Sequence, residues 1–194
     1  LTARQAVEEL QGLGYNRIGL VLDRRIDDWL EDRFSAGFFS GITSPPENFA
    51  ASFDFRKEAL EAFADWYRTN RPDAIVTLHL EVGEWLRSLR VEVPRALGLV
   101  HLDRQESMTD WAGMDQNNYC IGSSATDMIV GALHRNEQGV PRFARSITLQ
   151  SKWIAGATVA PQGSKTLGTQ RGISPRAKKE SVRAESTKKC SGGS

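Results

Sequence analysis

The chain has 194 residues, 40% of them hydrophobic and 25% charged, with a formal net charge of +1. These values describe one ordinary globular domain or two small lobes and exclude collagen-like and disulfide-stapled classes. The longest apolar runs, such as Ala74-Ile75-Val76-Thr77-Leu78, stop far short of the ~20 residues that a membrane-spanning helix requires.

The +1 conceals a split. Residues 161–194 hold eight Lys/Arg and two Glu, a balance of +6, which leaves −5 for residues 1–160. All five tryptophans and all eight phenylalanines lie in the acidic part. A segment so poor in apolar side chains cannot offset the entropy of ordering itself, so 160–194 is expected to be a disordered basic tail and 1–159 the folded unit. Two cysteines, Cys120 and Cys190, make no disulfide framework and fit a reducing compartment. The chain begins at Leu1 rather than Met, so its natural N-terminus is expected to lie upstream.

In chain order, Ala6, Val7, Leu10 and Leu13 recur at helical spacing over 2–13, with Gly14 just past the end as a cap. Arg17-Ile18-Gly19-Leu20-Val21-Leu22 reads as a buried strand. A helix is predicted over 27–41, carrying Trp29, Leu30, Phe34, Phe38 and Phe39, with Asp27, Asp28, Glu31 and Asp32 early, where the helix dipole favours them. A short strand follows around 51–53, and 56–70 predicts an amphipathic helix with Leu60, Phe63, Ala64 and Tyr67 on one face. The pattern repeats as a strand at 74–78, a helix at 81–90 and a strand at 97–101. After an irregular stretch to Asn118, a helix over 119–136 presents Ile121, Ala125, Met128, Ile129 and Leu133, and two strand-like pieces at 146–150 and 152–154 close the folded part.

Strands alternating with helices predict an α/β fold, a parallel sheet flanked by helices. In such sheets ligands collect beyond the carboxyl ends of the strands. Those ends are expected at Asp23, Phe53, His79 and Asp103. No phosphate-cradling glycine loop, CxxC pair, HExxH or GxSxG elbow occurs, and His79, His101 and His134 sit in unrelated elements, so no metal set is predicted. The acids at 27–32 read as a solvated helix face rather than paired catalytic carboxylates. The tail has the charge for non-specific phosphate contact but no aromatic residue for base stacking, and reads as solvated.

Five pieces follow one another in an order that carries a resemblance: Glu9-Leu10-x-x-Leu13-Gly14-Tyr15-x-Arg17-Ile18-Gly19, Arg33-x-x-Ala36-Gly37-Phe38, Arg71-Pro72-Asp73-Ala74-Ile75, Val93-Pro94-x-x-Leu97-Gly98-Leu99-Val100-His101-Leu102-Asp103 and Gln116-Asn117-x-x-x-Ile121-Gly122. Over about 3–159 the chain resembles the C-terminal half of the sugar-sensing domain of LacI/GalR-family bacterial transcription regulators. The resemblance implies a periplasmic-binding-protein-like fold with one lobe nearly complete and the other mostly missing. The helix at 119–136 would then lack most of the sheet it covers, leaving Ile121, Met128, Ile129 and Leu133 partly unmatched.

The same resemblance implies an effector site made by Arg33, Phe53, His79, Asp103 and Gln116. In that site a guanidinium fork and a carboxylate hold hydroxyls and an aromatic ring stacks on the ligand. His79 departs from the Asn or Asp usual in the family, and Trp111 is a candidate second stacking face. Further implications are a small sugar-like effector, no cofactor and no covalent chemistry. DNA binding would come only through an N-terminal helix-turn-helix domain outside this chain, the full-length protein would be a homodimer, and it would lie in the cytoplasm. A transport-type sugar-binding protein shares the fold. An α/β enzyme acting on sugars would have to rely on Asp103 with His79.

Overall fold

The computed structural model describes residues 1–43, 50–56, 59–140, 143 and 145–162. The basic tail beyond 162 lies outside the described residues, as does Cys190. Five parallel strands and one antiparallel strand form a single sheet in the order β2-β1-β3-β4-β5-β6. The strands are β1 (Ile18–Leu22), β2 (Phe53–Asp54), β3 (Ala74–Thr77), β4 (Gly98–His101), β5 (Ala112–Asp115) and β6 (Lys152–Ile154). The helices are α1 (Thr2–Gly12), α2 (Arg24–Trp29), α3 (Arg33–Gly41), α4 (Leu60–Asn70), α5 (Glu81–Ser88) and α6 (Asn118–His134).

Period-two alternation of the strand side chains splits the interior into two layers. Ile18, Leu20, Leu22, Ala74, Val76 and Val100 pack on one face against Ala3, Ala6, Val7 and Leu10 of α1 and Phe38 of α3. Val21, Ile75 and Leu99 turn to the other face and meet Phe63 and Trp66 of α4 and Val82, Trp85 and Leu86 of α5. Both faces are covered, so the strands are apolar throughout, and each fully buried Val, Leu or Phe contributes roughly 1.5–3 kcal/mol. Gly14, at φ +90°, ends the first helix as expected, with its N–H donating to the Gln11 carbonyl at 3.0 Å.

Several expectations are corrected. The helix predicted over 27–41 is two helices, broken where Glu31 and Asp32 take left-handed φ values of 57° and 58°. The cause is Asp27, which is 3% exposed rather than solvated. Its Oδ1 accepts the N–H groups of Phe34 at 3.1 Å and Ser35 at 3.3 Å. The carboxylate therefore caps a second helix that starts in a new direction, and Trp29 is left 83% exposed.

β5 was expected as irregular chain, because Ala112-Gly113-Met114-Asp115 holds no β-branched residue. Pairing with β4 and β6 imposes the strand, and Gly113 lies so near the His101 carbonyl that a Cβ would clash. Of the two closing strands only 152–154 forms; 146–150 has no regular secondary structure.

Helix α6 has no buried residue among its 17. Ile129 is 62% and Leu133 70% exposed. The unmatched apolar face anticipated from the resemblance is present.

Candidate functional site

Parallel pairing of β2, β1, β3 and β4 brings their carboxyl ends to one edge of the sheet. Asp23 follows β1 and caps α2, its carboxylate accepting from the Arg25 backbone at 2.9 Å and from the Arg25 guanidinium at 2.6 Å. The Arg25 side chain holds this carboxyl at about 2, below the usual 3.8.

His79 stands two residues beyond β3. Its Nε2 accepts the Asp23 backbone N–H at 3.1 Å, while its own backbone N–H donates to Thr77 Oγ1 at 3.0 Å. Accepting at Nε2 places the single proton of the neutral ring on Nδ1. Burial pushes the imidazole below its usual value, with the Glu81 and Asp23 carboxylates pulling it back upward. The ring lies flat on Phe55 at 3.7 Å and 5°, and Phe55 in turn stacks on Trp85 at 5.0 Å.

His101, 4% exposed at the end of β4, ties the neighbouring strand end to this group. Its Nε2 meets the Leu78 carbonyl at 3.1 Å, and its Nδ1 accepts the Asp103 backbone N–H at 3.2 Å. Both ring nitrogens are thus satisfied by a neutral imidazole, and burial pushes its pKa down. Asp103 is half-buried, and among the described residues no donor reaches its Oδ1, which is inaccessible to solvent. Such an oxygen costs about 1–3 kcal/mol or more while it has no partner. Gln116, just beyond β5, donates from Nε2 to the Leu102 carbonyl at 3.0 Å and so joins the same edge.

The expected residues therefore separate. His79, Asp103 and Gln116 converge at the strand ends. Phe53 does not: β2 runs one residue further than predicted, and Phe53 packs among Phe63 and Trp66 at centroid distances of 5.6 and 5.7 Å. Phe55 is the aromatic residue at that edge, and a period-two count from Phe53 was the signal that could have found it. Arg33 opens α3 on the surface, its guanidinium 2.8 Å from Glu31 Oε2. Among the described residues no hydrogen bond joins Arg33 to His79 or Asp103. Trp111 leans edge-on against His101 at 5.7 Å and walls a separate cavity of about 430 Å³ with Gly83, Val91, Val93 and Leu99. The role of His101 was missed, although a histidine inside the apolar run Leu97-Gly98-Leu99-Val100 marks a buried polar group that must find partners.

No family model and no curated protein matches the chain. Solved structures do match. A LacI-family transcriptional regulator from Enterococcus faecium with bound ribose superposes at TM-score 0.64 and 15% identity, over 82% of this chain and 62% of that one. A transcription regulator from Lactobacillus plantarum superposes at 0.66 and 16%, over 82% and 64%. A LacI-family regulator from Silicibacter pomeroyi does so at 0.63 and 16%, over 81% and 61%. At these identities the likeness establishes the fold, an α/β domain of the periplasmic-binding-protein-like kind. More narrowly, it is the fold of the LacI-family regulators, of whose length this chain spans about 60%.

Proposed function

We propose that the chain is the ligand-sensing part of a LacI-type bacterial transcription regulator. In this reading a small sugar-like effector sits at the strand ends and shifts the population of states in which a separate helix-turn-helix domain binds DNA. The observation that carries it is that His79 and Asp103 both stand at the edge where open α/β sheets take their ligands, with His101 bridging the Leu78 carbonyl and the Asp103 backbone N–H between them. Hydroxyls both donate and accept, so a polyol suits such a pair.

Asp103, His79 and Gln116 are proposed as effector contacts, with Phe55 behind His79 in the place first given to Phe53. Arg33 joins only by exchanging its Glu31 partner, an exposed pair worth about 0–1 kcal/mol. The exposed apolar face of α6 supports packing against a further lobe. The full-length protein is proposed to be a cytoplasmic homodimer that catalyses no reaction.

Amide NMR of the chain titrated with pentoses and hexoses tests this. Saturable shifts at Asp23, His79 and Asp103, with the sugar recovered unchanged, are the expected result. Turnover of the sugar, or specific operator binding by the chain alone, overturns the reading.

A further inference from the structure

We infer that the cavity walled by Trp111 is a second ligand site, apart from the strand ends, and that it takes an α-amino acid with an apolar side chain.

Three observations carry it. The cavity holds about 430 Å³, the size of a small-molecule pocket, and His79, Asp103 and Gln116 do not line it. Its walls are largely apolar: Val91 and Val93 from the segment after α5, Leu99 of β4, and Trp111 from the segment before β5.

The second observation is the charge it presents. The charged side chains lining the cavity are Arg87 of α5 and Asp110, one of each sign. Both residues are exposed, and neither side chain holds a hydrogen bond or ion pair among the described residues, with the other or with anything else. Arg104 stays charged too, but its Nε donates to the Trp111 carbonyl and it does not line the cavity.

Third, the walls are fixed by the chain itself. Thr158 Oγ1 donates to the Leu99 carbonyl at 2.6 Å and accepts the Ala112 N–H at 2.9 Å, while the Leu99 N–H donates to the Thr158 carbonyl at 2.8 Å. The segment after β6 is thereby tied to β4 and to the start of β5. A Cβ on Gly83 would lie 3.1 Å from Trp111 Cζ2, so the indole rests against α5 where that helix carries no side chain.

Apolar walls favour a hydrocarbon or aromatic group, since its entry takes both surfaces out of water. A ligand with a single charge is attracted by one of the two charged residues and repelled by the other. A ligand with an ammonium and a carboxylate gains from both, the guanidinium fork taking the carboxylate and Asp110 the ammonium. Neither residue has a partner to give up when the ligand arrives. An α-amino acid carries all three groups on one carbon.

Four small molecules titrated into the full chain test the inference, followed at the amides of Gly83, Val91, Val93 and Trp111: phenylalanine, 3-phenylpropionate, 2-phenylethylamine and glycine. Phenylalanine is expected to shift these amides saturably. The propionate and the amine, each lacking one charge, are expected to bind about five-fold more weakly, and glycine not to bind. Arg87→Gln should lower phenylalanine to the affinity of the amine, and Asp110→Asn to that of the propionate. Both substitutions fall on exposed side chains that make no bond in the fold, so the variants are expected to keep the parent spectrum elsewhere. Equal binding of phenylalanine and either singly charged analogue overturns the inference, as does the absence of any shift at these amides. Movement of the same amides on raising protein concentration alone, with phenylalanine inert, would give this face to a second copy of the chain and overturn it as well. The strand-end amides of His79 and Asp103 report on the effector site separately, so its reading stands or falls independently.

Discussion

The Asp23 backbone N–H donates to Nε2 of His79 at 3.1 Å, so the end of β1 is held to the end of β3 by a lone pair that only the neutral imidazole has. Protonation replaces the acceptor with a second donor. Burial lowers the pKa of both His79 and His101 from 6.5. Below 6.5 the unfolded chain therefore binds more protons than the folded one, and stability falls as pH falls through that window. Asp23, at about 2 against 3.8 unfolded, contributes stability that is present above 3.8 and lost only as pH drops toward 2. Urea unfolding midpoints should be flat above pH 7, decline below 6.5, and fall again below 4. His79→Gln should shallow the first decline and leave the second in place. A midpoint independent of pH between 7 and 5 would contradict this.

Asp27 sets the direction of α3, its Oδ1 taking the N–H groups of Phe34 and Ser35 from a buried position. Replacement by alanine removes the cap and strands two backbone donors, a loss of about 1–2 kcal/mol. Asp27→Asn keeps an acceptor oxygen and should lose less. Chemical denaturation of the two variants checks the order, and equal losses would mean that the cap is not what Asp27 supplies.

Tyr15 is 1% exposed, and its hydroxyl accepts the Ala160 N–H at 3.1 Å, fastening the end of the described chain to the turn after α1. The ring passes so close to β4 that a Cβ on Gly98 would lie 2.7 Å from its Cζ. Gly98→Ala should destabilise by about 1–3 kcal/mol through overpacking. Tyr15→Phe keeps the ring but leaves the Ala160 N–H unpaired, at about 1 kcal/mol. In the double variant Gly98→Ala should still show most of its own cost, because the clash is with the ring. Thermal unfolding of the four proteins separates the two effects.

The parts of the fold legible in the sequence are those in which local pattern and tertiary demand agree. The runs 18–22, 74–77 and 98–101 are apolar on both faces because helices cover both faces, and the Gly and Pro residues between them mark the turns. What escaped was set by long-range pairing or by one buried polar group. β5 exists because two neighbours hydrogen-bond to it, and Asp27 breaks a helix whose acidic first turn otherwise fits the dipole rule. The position of Asp103 and His79 at the strand ends was legible because each follows a strand that ends plainly. Phe55 was passed over because β2 has two residues and no periodicity of its own, although it is the buried ring that stacks on His79.

Helix α6 is held by what flanks it rather than by its own side chains, none of which is buried. Ile121, Ala125, Met128, Ile129 and Leu133 fall at the i, i+4, i+7, i+8 and i+12 spacing of one broad apolar stripe, the width that faces a core rather than a narrow two-helix seam. With that stripe uncovered, Ile129 and Leu133 make no buried contact whose loss would register in stability, but they do expose a contiguous apolar surface. Ile129→Lys and Leu133→Lys together should therefore leave the unfolding free energy within about 0.5 kcal/mol of the parent. They should also reduce concentration-dependent self-association and the binding of an apolar dye. Denaturation and sedimentation at two protein concentrations check both halves. A large loss of stability would mean that α6 packs on something within the chain, and unchanged association would move the adhesive surface elsewhere.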